Sequence, residues 1–168
     1  DLKLENNSAK PDLVFFEFAV NDVIDQSTET EIKTNTESII TSIYQYAPQA
    51  EIIFLFTMGY SMKDEENTSI VQQKIVADTY KIPCLSIGAR LWKDIVIENG
   101  GAEPAQDSAI WGKYMMDTVH PLDAGYAKYA SYVTKYLQRI FERKTSVPSA
   151  CVNAYKPTSN LMSLPVSP

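Results

Sequence analysis

Two short stretches of this chain carry side chains suited to acid–base and electrostatic chemistry. One is Asp117-Thr118-Val119-His120-Pro121. A carboxylate three residues before an imidazole can accept its Nδ1 proton within one turn of chain, which leaves Nε2 free as a general base. Pro121 disfavours the helical conformation at His120 and so helps to hold the ring in an extended loop. An orienting acid and a rigidly presented base are what nucleophilic catalysis asks for. The other stretch is Asn21-Asp22, directly after an apolar run that ends at Val20. An asparagine in that place can aim its amide N–H at a developing oxyanion, a contribution of about 3 kcal/mol where such donors have been removed from enzymes. Taken singly, each stretch has a plainer structural reading. An isolated Asp-x-x-His is more commonly a hydrogen-bonded pair at a helix entrance, and Asn and Asp commonly turn a chain.

The elements that must position these groups are read from the apolar pattern. Leu13, Val14, Phe15, Phe16, Phe18, Ala19 and Val20 form a nearly continuous run, which predicts a strand over 13–20 buried on both faces. Residues 52–56, followed by Gly59, and residues 83–87, followed by Gly88, predict two more strands. Between the first two, Thr28-Glu29-Thr30-Glu31 has the form of a capping box. Ile32, Ile39, Ile40, Ile43, Tyr44 and Ala47 then recur at helical spacing until Pro48. A second helix is expected over 68–80, with Val71, Ile75 and Val76 on its inner side. Residues 90–99 suit a helix capped by Gly100, with a short strand over 94–97 as the other reading. Tyr126, Ala130, Val133, Leu137 and Ile140 line one stripe of a long helix over 123–143. Strand, helix, strand, helix, strand is the order of a parallel sheet with right-handed crossovers, so a doubly wound α/β fold is predicted. Such a sheet places its binding crevice at the carboxyl ends of its strands, where Asn21 falls.

Composition narrows the functional classes. The 168 residues are 45% hydrophobic, enough for one sizeable core. Fifteen Lys plus Arg against twenty-one Asp plus Glu give a net charge of -6, which leaves no basic surplus for nucleic acid. The longest apolar run, 52–58, is far short of the roughly twenty residues that a membrane-spanning helix needs. One histidine and two cysteines, Cys84 and Cys151, do not make a multi-histidine metal site or a zinc ribbon. No glycine-rich phosphate loop occurs, which argues against a nucleotide or flavin binder. No metal or cofactor is therefore expected. After Lys144 the chain turns to Ser, Pro, Asn and Thr, so a domain is expected over 1–144 and an extended tail or linker over 145–168.

Taken together, the two stretches resemble a known family. Phe18-Ala19-Val20-Asn21-Asp22 after a buried strand looks like the third sequence block of the SGNH (GDSL) hydrolases. Asp117-Thr118-Val119-His120-Pro121 followed by Leu122-Asp123-Ala124-Gly125 looks like their fifth. Order and separation agree, and the likeness runs over residues 11–143. The pair in register on this scaffold outweighs the structural reading of either stretch alone. The resemblance implies a flavodoxin-like three-layer α/β/α sandwich with a parallel sheet and hydrolysis of small acyl esters, commonly acetyl groups of carbohydrates. It implies that His120 is the base, that Asp117 orients it and that Asn21 donates to the oxyanion.

The family's nucleophilic serine and a second oxyanion donor, a glycine, belong to earlier blocks. No Gly-Asp-Ser occurs here, and no glycine precedes Asn21; the nearest string, Gln106-Asp107-Ser108, lacks the strand that should come before it. The expectation is a domain incomplete on its N-terminal side, with its serine upstream of Asp1 and no turnover by this chain alone. The strand over 13–20 is then expected to expose an apolar edge that pairs with an N-terminal segment or drives self-association. A non-catalytic binding or assembly module of the same fold is the alternative.

Three further features invite a reading. Glu17 sits amid apolar neighbours, where a carboxylate needs a partner; anchoring a basic residue or a backbone N–H is the favoured role, with a contact to the site from beneath as the other. Trp111, Tyr114, Met115 and Met116 precede Asp117 and read as core or lid packing, with an apolar wall beside an acyl group as the other. Gly100-Gly101 is too short to cradle phosphate and ends a helix.

Overall fold

Side chains of successive strand residues point to opposite faces, and that alternation divides the core of this protein in two. The computed structural model describes residues 10–63 and 65–144; the predicted tail over 145–168 lies outside the described residues. Three parallel strands, β1 (Leu13–Phe16), β2 (Glu51–Leu55) and β3 (Cys84–Leu85), lie side by side in that order. Val14 stands opposite Ile52, Phe16 opposite Phe54, and Leu55 opposite Leu85. On one face Phe16, Ile52, Phe54 and Phe56 pack with Ile40, Ile70 and Val76 from α2 (Glu29–Tyr46) and α3 (Thr68–Tyr80). On the other, Leu55 and Leu85 meet Leu91, Trp92 and Ile95 of α4 (Ile87–Glu98), Trp111 of α5 (Ala109–Tyr114) and Tyr129 of α6 (Asp123–Lys144). The result is the α/β/α sandwich with a parallel sheet that the sequence predicts.

The capping box forms as the sequence predicts. Thr28 Oγ1 accepts from the Glu31 N–H at 3.3 Å, and Glu31 Oε2 accepts from the Thr28 N–H at 2.8 Å. A cap of this kind typically contributes about 1 kcal/mol. The α2 helix ends at Tyr46, two residues before Pro48, and Ile32, Ile40 and Ala47 are buried beneath it.

Four expectations are corrected. The first strand stops at Phe16, and residues 19–24 form a short helix, α1 (Ala19–Ile24), so Asn21 and Asp22 lie in a helical turn rather than directly after a strand. Phe15, in β1 at the edge of the sheet among the described residues, and Phe18, between β1 and α1, are 42% and 48% exposed. In α3, Val71 and Ile75 face outward while Gln72 and Gln73 are buried. The reason is polar: Ser69 Oγ donates to the Ala19 carbonyl at 2.8 Å, and Gln73 Nε2 donates to Asp22 Oδ2 at 2.6 Å, so the face that meets α1 is held by hydrogen bonds. The α6 stripe is rotated from the predicted one. Tyr129 is buried and Tyr132 packs beside it, whereas Tyr126 is exposed. Tyrosine can be buried there because each hydroxyl has a partner: Tyr129 accepts from the Met58 N–H at 2.9 Å, and Tyr132 donates to Asp94 at 2.7 Å.

The α4 helix begins at Ile87, directly after β3, so the third strand is shorter than the predicted 83–87. Gly88 permits this early start. A Cβ there would stand 2.5 Å from the carbonyl carbon and oxygen of Thr57 and 2.6 Å from the Met58 nitrogen, all main-chain atoms that cannot rotate away. Asp94 then ties α4 to α6, accepting from Lys128 Nζ at 3.1 Å and Arg90 Nε at 3.2 Å besides Tyr132. Burial alone would raise its carboxyl, but the hydrogen bonds from Tyr132 and Lys128 outweigh burial and hold it below the usual range.

Candidate active site

Asp117 and His120 sit on a tight loop between α5 and α6. Its stem is a β-bridge between Met115 and Pro121, closed by the Leu122 N–H on the Tyr114 carbonyl and the Met116 N–H on the His120 carbonyl, both 2.8 Å. Within the loop, Asp117 Oδ1 accepts from the backbone N–H groups of Val119 and His120 at 2.8 Å each, an Asx turn that fixes the main chain. Its other oxygen, Oδ2, lies 2.7 Å from His120 Nδ1. The Val119 and His120 N–H groups, with the imidazole, hold the Asp117 carboxyl down at about 2. The carboxylate is therefore ionised at neutral pH and can only accept, so Nδ1 carries the proton. Nε2 has no hydrogen bond among the described residues and is left to take one.

Two anchors hold this loop against the sandwich. Trp111, 2% exposed, donates its indole N–H to the Asp117 carbonyl at 3.0 Å. The Thr118 carbonyl accepts from the Tyr60 N–H at 2.8 Å, which ties the loop to the segment leaving β2. Trp111, Tyr114 and Met115 are thus core packing, the favoured sequence reading, while Met116 is 66% exposed. Sequence reasoning missed the role of the Trp111 N–H and that of Gly125. A methyl group at Gly125 would overlap the Tyr114 carbonyl oxygen and come within 2.9 Å of Pro121 Cβ, so the first turn of α6 seats against the loop only with glycine there. Its place inside the last predicted helix was the available signal, since an interior glycine marks close approach. Gly125→Ala is expected to destabilise the fold by about 2 kcal/mol, within the range for overpacking a close contact, read as a lower urea midpoint. An unchanged midpoint means that α6 shifts freely.

Asn21 is exposed on the first turn of α1, at the carboxyl end of β1. Around it, Ser69 holds the Ala19 carbonyl and Gln73 holds Asp22, whose carboxyl burial pushes up despite that hydrogen bond. Glu17 is anchored by a hydroxyl rather than by a basic residue: Oε1 accepts from Thr57 Oγ1 at 2.9 Å. Burial raises its carboxyl. Because β1 and β2 are parallel, residues 17–21 and 57–60 leave the same end of the sheet, and the Tyr60 to Thr118 bond brings the 117–120 loop to that end as well. The structure thus joins Asp117 to His120 directly and sets Asn21 at the same edge without a bond between them. Among the described residues no group of three or more His, Cys, Asp or Glu is placed to hold a metal ion, and no helix is long and apolar enough to cross a membrane.

A parallel α/β/α sandwich with an aspartate–histidine pair and an asparagine at the carboxyl edge of its sheet has the layout of a hydrolytic domain. The chain belongs to the GDSL-like Lipase/Acylhydrolase family, whose profile matches residues 2–128. Comparison with curated proteins gives no match. Among solved structures, a two-domain esterase active on acetylated mannans, crystallised alone and with mannopentaose, superposes with a TM-score of 0.61 at 24% identity, over 78% of this chain and 31% of that one. Protein YXIM from Bacillus subtilis superposes with a TM-score of 0.59 at 20% identity, over 77% of this chain and 38% of that one. The chain thus spans about a third of the length of these neighbours, and at such identities the likeness is one of fold.

Proposed function

We propose that the protein to which this chain belongs hydrolyses small acyl esters, acetyl esters of carbohydrates in particular. His120 is the general base, Asp117 fixes its tautomer and direction, and Asn21 donates to the oxyanion of the tetrahedral intermediate. A serine in a segment outside this chain supplies the nucleophile. The observation that carries this reading is the Asp117 carboxylate. One of its oxygens is spent on two backbone N–H groups and the other on His120 Nδ1, which leaves Nε2 as the free, oriented acceptor. Family membership supports ester hydrolysis, and the activity of the mannan esterase neighbour supports an acetylated carbohydrate as the substrate.

The test is turnover of p-nitrophenyl acetate and of acetylated mannan by the full-length protein. Asn21→Ala is expected to lower kcat about 10²- to 10³-fold with KM little changed, because an oxyanion donor acts mainly in the transition state. Carbohydrate binding without turnover by the intact protein would favour the binding module instead.

A further inference from the structure

The α1 helix is short, and the proposed oxyanion donor rides on its first turn. Such a helix cannot hold its own start in place, since the first N–H groups of any helix lack intrahelical partners. Phe18, at the N-cap position, makes no side-chain hydrogen bond to them. Glu17, one residue earlier, has its carboxylate close enough to the Val20 N–H for that group to oppose the rise that burial causes, and its Oε1 accepts from Thr57 Oγ1 at 2.9 Å. Thr57 lies in the segment after β2 that reaches the base loop: the Met58 N–H donates to the Tyr129 hydroxyl of α6, and the Tyr60 N–H donates to the Thr118 carbonyl. One half-buried carboxylate therefore ties the helix of Asn21 to the segment that holds the loop of His120.

We infer that Glu17 is a positioning residue, which sets the start of α1 against Thr57 and so fixes Asn21 relative to His120 for the acyl-transfer step. The inference rests on the reading of the site given above. In its absence the sandwich keeps both cores, because Phe16 and Ala19 stay buried through their apolar contacts, but α1 gains freedom to rock on the sheet edge. Misplacement of a catalytic donor by about 1 Å is enough to cost on the order of 10²-fold in rate.

The experiment is a double-mutant cycle in the full-length protein, with a structural reading alongside it. Glu17→Gln keeps the side-chain volume and removes the charge. It is expected to lower kcat on p-nitrophenyl acetate about 10- to 100-fold, with KM unchanged. Thr57→Val is expected to do the same, and Thr57→Ser, which keeps the hydroxyl, to restore most of the lost rate. On an Asn21→Ala background Glu17→Gln is expected to cost little more, since the donor it positions is already gone. An equal loss on both backgrounds means that Glu17 acts on stability or on another group, and overturns the inference. Hydrogen exchange supplies the readout that does not depend on activity: Glu17→Gln should speed exchange at the Val20 N–H while the α3 amides stay protected. Unchanged exchange at Val20 overturns the clamp whatever the kinetics show. Faster exchange at Val20 with an Asn21→Ala variant of full activity keeps the clamp but sinks the oxyanion assignment, and with it the catalytic role given to Glu17.

Discussion

Replacing His120 with alanine in the full-length protein is expected to lower kcat on an acetyl ester by four to six orders of magnitude, about the loss seen when the base of a serine hydrolase is removed. The expectation follows from geometry. Nδ1 is occupied by Asp117, so Nε2 is the one ring atom available to take the nucleophile's proton. The variant should also fold normally, which keeps the result interpretable. The His120 side chain is 63% exposed, and the two main-chain bonds it contributes to the loop, its carbonyl to the Met116 N–H and its N–H to Asp117 Oδ1, do not involve the ring. Steady-state kinetics paired with a thermal melt is the measurement. A rate within tenfold of the parent at an equal melting temperature removes His120 from the mechanism.

The second large effect is expected at Asp117, where substitution by asparagine separates two jobs of one side chain. An asparagine Oδ1 can still accept from the Val119 and His120 N–H groups, so the Asx turn survives. Its Nδ2, in the place of the second carboxylate oxygen, can only donate, and Nδ1 must give up its proton to meet it. The imidazole is then held with its proton on Nε2, the wrong tautomer for a base. In a serine protease with the same aspartate–histidine pairing that change costs about 10⁴ in kcat, and a loss of that order is expected here, with the loop intact. A loss below tenfold means that Asp117 does not set the tautomer.

The carboxylate also assigns the pH dependence. The Asp117 carboxyl is depressed to about 2, so the stability it lends the loop is present above the ordinary carboxylate range and is lost as the pH falls through about 2. A fall in rate on mild acidification therefore does not report titration of Asp117. Asp117→Asn should remove most of the rate without creating a new acid limb.

Much of this arrangement could be read from the chain. The parallel order of the strands followed from apolar runs punctuated by helical spacing, and α2 began at the capping box of Thr28 and Glu31. Asp117 and His120 are close in sequence, so their contact needed only a loop to form. The errors fall where tertiary hydrogen bonds override local apolar pattern. Phe18, Ala19 and Val20 look like strand residues, yet the chain turns into a helix at Ala19, where Ser69 Oγ of α3 donates to the Ala19 carbonyl. The apolar residues Val71 and Ile75 look like the inner face of α3, but Gln73 finds Asp22 and Ser69 finds the Ala19 carbonyl, so the buried face combines these polar groups with Ile70, Val76 and Ala77 and leaves Val71 and Ile75 outside. In α6, Ala130 falls on the stripe set by helical spacing; Tyr129 is buried instead, since its hydroxyl meets the Met58 N–H just after β2. Partners distant in sequence decided each of these, and spacing within one segment holds no record of them.

The seat of the 117–120 loop has an optical consequence. The chain has two tryptophans, Trp92 and Trp111, which lie edge to face with centroids 6.2 Å apart, and Trp111 bonds the loop through its indole nitrogen. Indole fluorescence moves to longer wavelength as the ring meets water. The emission colour of these two indoles therefore reports whether the loop is docked, and can tell a variant that has lost its chemistry from one whose loop has lifted away.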